Sequence, residues 1–190
     1  WFLLPILGGT GGLLSGTIIS QFAPAAGGSG VTQIITFLRH KPVPMGLKVG
    51  IGKLIAGILA IGSGFPLGPE GPAVQMGGSV AWQMAKWLKA PIAFRRVIVA
   101  AGSGAGIAAV FSAPIGGFIY ALEELLNSSR PVVLLLVVVT TFWADSWAAI
   151  FQGQGFTLDI DFPLEIKVLP IDFFYLIILG ILVGLLAQLY

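Results

Sequence analysis

Glu70 is the residue whose type and setting most strongly suggest chemistry. It lies in Gly68-Pro69-Glu70-Gly71-Pro72, inside very apolar sequence. A carboxylate at the centre of a bilayer costs roughly 3 kcal/mol or more, which marks it as a candidate functional group. Glycine and proline break helices, and a broken helix at membrane depth is tolerated where its backbone lines a cavity. A helix that begins just after Glu70 would direct free N–H groups into such a cavity and attract a small anion.

A structural explanation of Glu70 must be weighed against this one. An acid in the first turn of a helix is stabilised by the helix dipole, which would suffice at a surface. Within a membrane the same N–H groups would attract an anion, and the carboxylate would compete with it for the place. A buried carboxylate gains a proton unless something holds its charge. Protonation would then release the side chain, so we favour a functional role.

A second candidate is the glycine-rich run Gly27-Gly28-Ser29-Gly30, which precedes the apolar segment from Val31 to Leu38. The Ser29 hydroxyl is suited to cap a helix by accepting a hydrogen bond from a free N–H of the first turn. The same hydroxyl, together with the amides of Gly30 and Val31, could instead face an anion. The residues alone leave both interpretations open.

A third candidate runs from Ala113-Pro114-Ile115-Gly116-Gly117 to the adjacent acids Glu123 and Glu124. The two carboxylates end an apolar, helix-like segment, and the simplest interpretation is that they mark the membrane boundary. Acids near a helix C-terminus oppose the helix dipole, which favours a further purpose for at least one of them.

The elements that position these residues are predicted to be membrane helices. Hydrophobic residues make up 56% of the chain and charged residues 9%, and the mean hydropathy is +0.97, as in an integral membrane protein. Two or three apolar segments could span as simple helices of about 20 residues, whereas others are interrupted by glycine and proline. We therefore predict an all-α membrane protein with several spans and with broken and re-entrant helices. The apolar segments fall near residues 1–22, 47–67, 71–88, 97–126, 131–151 and 172–190.

Small-residue runs such as Gly102–Gly106 more often indicate close helix crossing than a phosphate loop. Cysteine is absent, so neither a disulfide framework nor a thiolate metal site is expected. No metal and no cofactor is predicted.

Charge patterning predicts the topology. The basic loops are assigned to the cytoplasm by the positive-inside rule, and this role is preferred to binding of lipid or nucleic acid. An acidic stretch at 152–171, with Asp159, Asp161 and Glu165, is predicted on the opposite face. The basic residues are Arg39, His40, Lys41, Lys48 and Lys53, followed by Lys86, Lys89, Arg95 and Arg96.

The three candidate motifs, in this order and spacing, resemble those of the CLC family of chloride channels and chloride/proton antiporters. The segment 28–31 resembles the first anion-binding motif of the family, and 68–78 resembles its gating-glutamate motif. The segment 112–124 resembles the one that ends in its internal proton glutamate. The resemblance implies one half of an inverted-repeat transporter, with residues 1–190 as a partial transmembrane domain of a longer, homodimeric protein. The family's second glycine-rich motif and its tyrosine ligand do not appear in this sequence.

The resemblance also implies a role for each motif residue. Ser29 would coordinate the anion through its hydroxyl, in the chloride-preferring form of the motif, while Gly30 and Val31 would offer backbone amides. Glu70 would be the gate that occupies an anion site when charged, with Gly71 at the same site. Glu124 would transfer protons on the inner side. Family channels usually lack an acid there.

The function implied is therefore chloride/proton antiport by a multi-pass protein, with a prokaryotic plasma membrane as its expected location. A passive chloride channel of the same fold is the first alternative, and a degenerate fragment without transport is another. Two positions depart from the family pattern: Pro69 stands where a basic residue is common, and Thr32 where proline is common.

A remote alternative is an intramembrane serine protease with Ser29 as nucleophile. That chemistry needs a base within hydrogen-bond reach, and His40 is the one histidine of the chain. His40 lies in a basic loop, so no enzymatic activity is predicted.

Overall fold

The computed structural model describes residues 3–128, 130–152 and 170–189. Every regular element within these ranges is helical, which confirms the predicted all-α fold. A π-helical segment, Ile18–Phe22, and a short 3-10 turn, Pro24–Ala26, follow the first helix, and a second π-helical segment, Ala121–Leu126, follows the sixth. The α-helices are α1 (Leu3–Thr17), α2 (Val31–Leu38), α3 (Leu47–Gly62), α4 (Glu70–Trp87), α5 (Ile92–Phe111), α6 (Pro114–Tyr120), α7 (Pro131–Gln152) and α8 (Pro170–Leu189).

Helix α5 is the centre of the fold and packs against α4, α6 and α7. Its glycines allow backbones to touch. A methyl group on Gly102 would come within 2.7 Å of the Gly77 carbonyl oxygen of α4, and one on Gly104 within 2.6 Å of the Gly117 oxygen of α6. The prediction of close helix crossing is therefore confirmed.

A break in the chain separates α5 from α6. Ser112 adopts a left-handed conformation with φ of 50°, which ends α5, and Pro114 opens α6 at its first position. Proline suits that position because its missing N–H would have no helical partner there. The apolar segment 97–126 is thus a broken helix, as the sequence predicted.

Two of the described helices are long and apolar enough to cross a membrane. They are Ile92–Phe111 and Pro131–Phe151, with hydropathies of 1.4 and 1.9. The sequence predicted two or three such helices. A shorter apolar helix covers Ile171–Leu186. It belongs to a second unit of the chain, residues 157–190. The acidic stretch with Asp159, Asp161 and Glu165 lies outside the described residues.

Candidate functional site

Four of the residues that the sequence singles out line one cavity of about 420 Å³. The cavity lies among α1, α3, the turn before α2 and the start of α4. Ser29 and Val31 contribute from the α2 side, and Glu70 and Gly71 from the first turn of α4. Lys53 of α3 also lines it. The fold therefore brings the first two sequence motifs together around one space.

The cap at the start of α2 decides between the two interpretations of Ser29. The residue that caps α2 is Gly30 rather than Ser29, so the interpretation of Ser29 as the cap is wrong. The Gly30 N–H donates to Gln33 Oε1 at 2.9 Å, and the Thr32 hydroxyl donates to the same oxygen at 2.9 Å. Gln33 therefore provides the cap. Among the described residues, the Ser29 hydroxyl has no hydrogen-bond partner, so it is free to face the cavity.

The two amides predicted to bind an anion are placed differently. Val31 lines the cavity, and as the first residue of α2 its N–H has no helical partner. Gly30 is buried outside the cavity wall, and its N–H is already bound to Gln33. A role for Gly30 as an anion ligand would require that hydrogen bond to break. Its assignment stays a prediction.

Backbone contact fixes the spacing between the two motifs. A methyl group on Gly71 would overlap the carbonyl oxygen of Ser29. A methyl group on Gly30 would overlap the Gly71 carbonyl oxygen and come within 2.9 Å of Gln75 Cβ. Gly30 also has a φ of 99°, which favours glycine independently of the contact. The turn and the first turn of α4 therefore touch directly, which sets the distance between Ser29 and Glu70.

The turn before α2 is held by side chains from three helices. Each of the four successive carbonyls of residues 25–28 accepts a hydrogen bond from an amide or ammonium nitrogen of α2, α3 or α4. Hydrogen bonds of this kind, which are buried or partly buried, rigidify the segment that carries Ser29. The pairs are Gln75 Nε2 with Ala25 O at 2.9 Å, Lys53 Nζ with Ala26 O at 3.1 Å and with Gly28 O, and Gln33 Nε2 with Gly27 O.

Lys53 is a candidate site residue that sequence reasoning missed. It was grouped with the cytoplasmic basic residues, but only 6% of its surface is exposed and it lines the cavity. No carboxylate within the described ranges pairs with its ammonium group. A signal was present, because Lys53 interrupts the apolar run 51–55 just as Glu70 interrupts its own surroundings. A cation within a membrane helix is as expensive as an anion and deserves the same functional hypothesis.

Glu70 is the first residue of α4, in agreement with the predicted helix start. Its side chain is exposed to the cavity and folds back over Gly68, where an added methyl group would overlap the carboxylate. Gly68 thus provides the space that the carboxylate occupies. The position at the N-terminus of α4 stabilises the negative charge through the helix dipole.

The first turn of α4 leaves few free donors. The Ala73 N–H donates to the Pro69 carbonyl oxygen at 2.9 Å, and Pro72 has no N–H. Within the described part of the chain, the amides of Glu70 and Gly71 are the donors of this turn without a partner. Together with the Val31 amide, three free amides, a serine hydroxyl and a buried ammonium group therefore surround the cavity. This set of groups can hold a small anion.

The third motif is not part of this cavity. Glu123 and Glu124 are exposed in the π-helical segment after α6. Glu124 lies near Tyr120, whose buried hydroxyl has no hydrogen-bond partner among the described residues. The structure therefore places the candidate gate and the candidate proton-transfer group at separate sites.

The geometry also bears on the protease alternative. The His40 ring contacts the Arg96 guanidinium group and is not among the residues that line the cavity. The structure does not bring His40 to Ser29, so the base that a serine nucleophile needs is missing from this site.

Comparisons with known proteins agree with the resemblance seen in the motifs. Residues 11–190 match the family model described as voltage gated chloride channel. The chain is 37% identical to chloride channel protein CLC-d of Arabidopsis thaliana over 67% of this chain and 18% of that protein. It is 28% identical to the H(+)/Cl(-) exchange transporter ClcA of Klebsiella pneumoniae, over 100% of this chain and 40% of the relative.

A solved structure agrees as well. The crystal structure of a slow cyanobacterial Cl−/H+ antiporter superposes with a TM-score of 0.81 at 32% identity. The match covers 98% of this chain and 44% of the antiporter chain. The chain thus spans less than half the length of these relatives.

Proposed function

Since the chain belongs to the voltage-gated chloride channel family of integral membrane transporters, we propose that it forms the first part of a chloride pathway. Movement of chloride along this pathway would be coupled to proton exchange. The observation that carries the proposal is the single cavity shared by Ser29, Glu70 and Lys53. Relatives named as H(+)/Cl(-) exchangers and as a Cl−/H+ antiporter support exchange as the activity.

The anion would be held by dipoles and by one buried positive charge. The Ser29 hydroxyl and the Val31 amide approach it from α2, and the free amides of Glu70 and Gly71 from α4. Lys53 adds a full charge from α3. Hydrogen bonds to an ion are roughly twice as strong as neutral ones, so a few such donors can replace the hydration of chloride.

Glu70 would act as the gate. Its charged carboxylate is attracted to the same N–H groups as chloride, so the two compete for the cavity. Protonation removes the charge, and chloride then takes the position. One anion site thereby couples the movement of a proton to that of chloride.

Glu124 would deliver protons from the side of the π-helical segment. Its carboxylate is exposed, as required of a group that exchanges protons with water. The adjacent Glu123 is also exposed and offers a matched control, because the two residues differ by one position in the same segment.

The test uses the full-length protein reconstituted in liposomes with a chloride gradient. We expect the gradient to drive protons uphill. In Glu124→Gln the proton movement should disappear while chloride flux persists, and in Glu123→Gln both should persist. The neutral amides keep the size of each side chain, so the comparison isolates the charge at one position.

The same experiment decides between antiport and the passive-channel alternative. Chloride flux without proton movement in the unmutated protein would support a channel and remove the role of Glu124. Proton movement that persists in Glu124→Gln would leave antiport in place but assign proton transfer to another residue.

Two further proposals rest on the family resemblance. We propose a homodimer with one pathway in each subunit, and a prokaryotic plasma membrane as its location. Bacterial relatives support the location. The exposed apolar side chains of α7, including Leu135, Val139 and Trp143, would be covered by lipid or by a second subunit.

A further inference from the structure

A second pocket, separate from the anion cavity, lies where α2 ends and where α5 and α7 begin. Its volume is about 270 Å³. Two arginines line it, Arg96 from the first turns of α5 and Arg130 just before α7, together with the hydroxyl-bearing Ser128. The remaining wall is mainly apolar and includes Leu38 and Val97. We call this space the arginine pocket.

The charge of the arginine pocket is not neutralised by the described part of the chain. Neither Arg96 nor Arg130 forms an ion pair there. Among the described residues, the Arg96 guanidinium group hydrogen-bonds the ring of His40, which is itself a base. The nearest acids along the chain, Glu123 and Glu124, are not among the lining residues. Two positive groups therefore face one small space without an anion.

The shape of the side chains indicates the ligand chemistry. A guanidinium group presents a planar set of N–H donors that matches phosphate oxygens in pairs. Arg96 is half-buried, which limits its freedom and strengthens an ionic contact. Ser128 adds a hydroxyl donor. The apolar wall would contact the hydrocarbon part of an amphipathic ligand rather than a fully hydrated one.

The place of the pocket in the fold indicates the source of the phosphate. α5 and α7, the two described helices long enough to cross a membrane, both begin beside it. It therefore lies at one membrane surface. The basic residues of the neighbouring loops assign that surface to the cytoplasm. Basic pockets between helices on this side are suited to acidic lipid headgroups. We propose that the arginine pocket binds the phosphate headgroup of an anionic lipid of the inner leaflet.

Helix α2 links this pocket to the anion cavity. Leu38 at its C-terminal end lines the arginine pocket, and Val31 at its first position lines the cavity. The helix has eight residues and thus spans only about 12 Å. A bound headgroup would restrain the end of the helix whose start faces the anion.

The test measures lipid binding directly, so it does not depend on the proposed transport function. Delipidated full-length protein in neutral detergent is titrated with phosphatidylglycerol or with phosphatidylcholine of the same chains, and bound lipid is counted by native mass spectrometry. We expect one tight phosphatidylglycerol site per chain. Each arginine should contribute roughly fivefold in affinity, so Arg96→Gln/Arg130→Gln should weaken binding about thirtyfold.

The matched control is Arg95→Gln, which removes the same charge one position away. Arg95 does not line the pocket, and its Nε donates to the Ala90 carbonyl oxygen at 2.7 Å. We expect its phosphatidylglycerol affinity to stay within about twofold, since surface charge alone acts weakly. A double variant that binds phosphatidylglycerol as tightly as the unmutated protein would overturn the proposal.

Two measurements on the unmutated protein keep the proposal refutable even if the double variant does not fold. Equal binding of phosphatidylcholine and phosphatidylglycerol would overturn it. Inorganic phosphate that displaces phosphatidylglycerol at equal concentration would also overturn it, because the pocket would then be a site for free phosphate. Displacement only at a large excess of phosphate would support a site that reads both headgroup and hydrocarbon.

Discussion

Substitution of Gly71 by alanine should separate the two halves of the anion site. The added methyl group would overlap the Ser29 carbonyl oxygen, which is backbone and has no rotamer by which to move away. Because non-bonded atoms need about 3.5 Å or more between centres, α4 and the turn before α2 must shift apart by roughly an ångström. The Ser29 hydroxyl and the free amides of α4 would then be too far apart to bind the same anion.

The size of the effect follows from two opposing contributions. Overpacking of this kind costs about 1–3 kcal/mol of folding free energy. Alanine recovers up to about 1 kcal/mol through its better helix propensity. The net loss of stability should therefore lie between about zero and 2 kcal/mol. Chloride binding should suffer more, because each lost hydrogen bond to an ion is worth about 1.5–3 kcal/mol. We expect chloride affinity to fall by about tenfold to a hundredfold.

The assay is chloride binding to the full-length protein by calorimetry, together with chloride flux from liposomes and thermal unfolding. The control is Gly9→Ala, because Gly9 is exposed in α1 and has nothing within 4 Å of an added methyl group. Gly9→Ala should keep its chloride affinity. If Gly71→Ala folds normally and also keeps its affinity within twofold, direct backbone contact does not set the geometry of the site.

Two other substitutions test the charges around the cavity. Pro69→Arg places a positive charge beside Glu70, which stabilises the carboxylate, so acid-activated chloride flux should need a lower pH than in the unmutated protein or in the neutral Pro69→Gln. An unchanged pH dependence in a flux titration would contradict this. Lys53→Met leaves the Ala26 and Gly28 carbonyl oxygens without their donor, which costs about 1–3 kcal/mol of folding free energy for each oxygen. Removal of a buried charge offsets part of that cost. The chloride affinity of Lys53→Met should fall about tenfold. The control is Lys48→Met, on the exposed face of α3, which should keep its chloride affinity. Equal affinities in both variants would refute a role for Lys53 in the site.

Much of the candidate anion site was predictable because its sequence signals are local. Glycine and proline around Glu70 predicted that a helix begins there, and α4 does begin at Glu70. Small residues at 102–106 predicted the close backbone contact of α5 with α4 and α6. In both cases the residue types limit what the backbone can do, so one stretch of sequence is enough.

The contributions that escaped prediction depend on distant pairs. Lys53 and Gln75 donate hydrogen bonds to carbonyls of the turn before α2 from 25 to 50 residues away along the chain. The sequence of the turn does not indicate which distant side chains will bind it. Capping of α2 by Ser29 was one of two interpretations that the residues left open, because serine caps helices often, but Gln33 accepts a hydrogen bond from the Gly30 N–H instead.

The hydrogen bonds along residues 25–28 have a consequence for which sign of ion can use this pathway. Cations such as sodium or calcium are coordinated in proteins by oxygen atoms, often those of backbone carbonyls. Here four successive carbonyl oxygens each already accept one hydrogen bond from a nitrogen donor, which leaves a single lone pair on each oxygen for a cation. An entering cation would meet the Lys53 ammonium group and the positive ends of two helices, with the Glu70 carboxylate as its one anionic partner in the cavity wall. We therefore expect the hydrogen bonds that hold the turn to disfavour cations in this cavity, before any ion is bound.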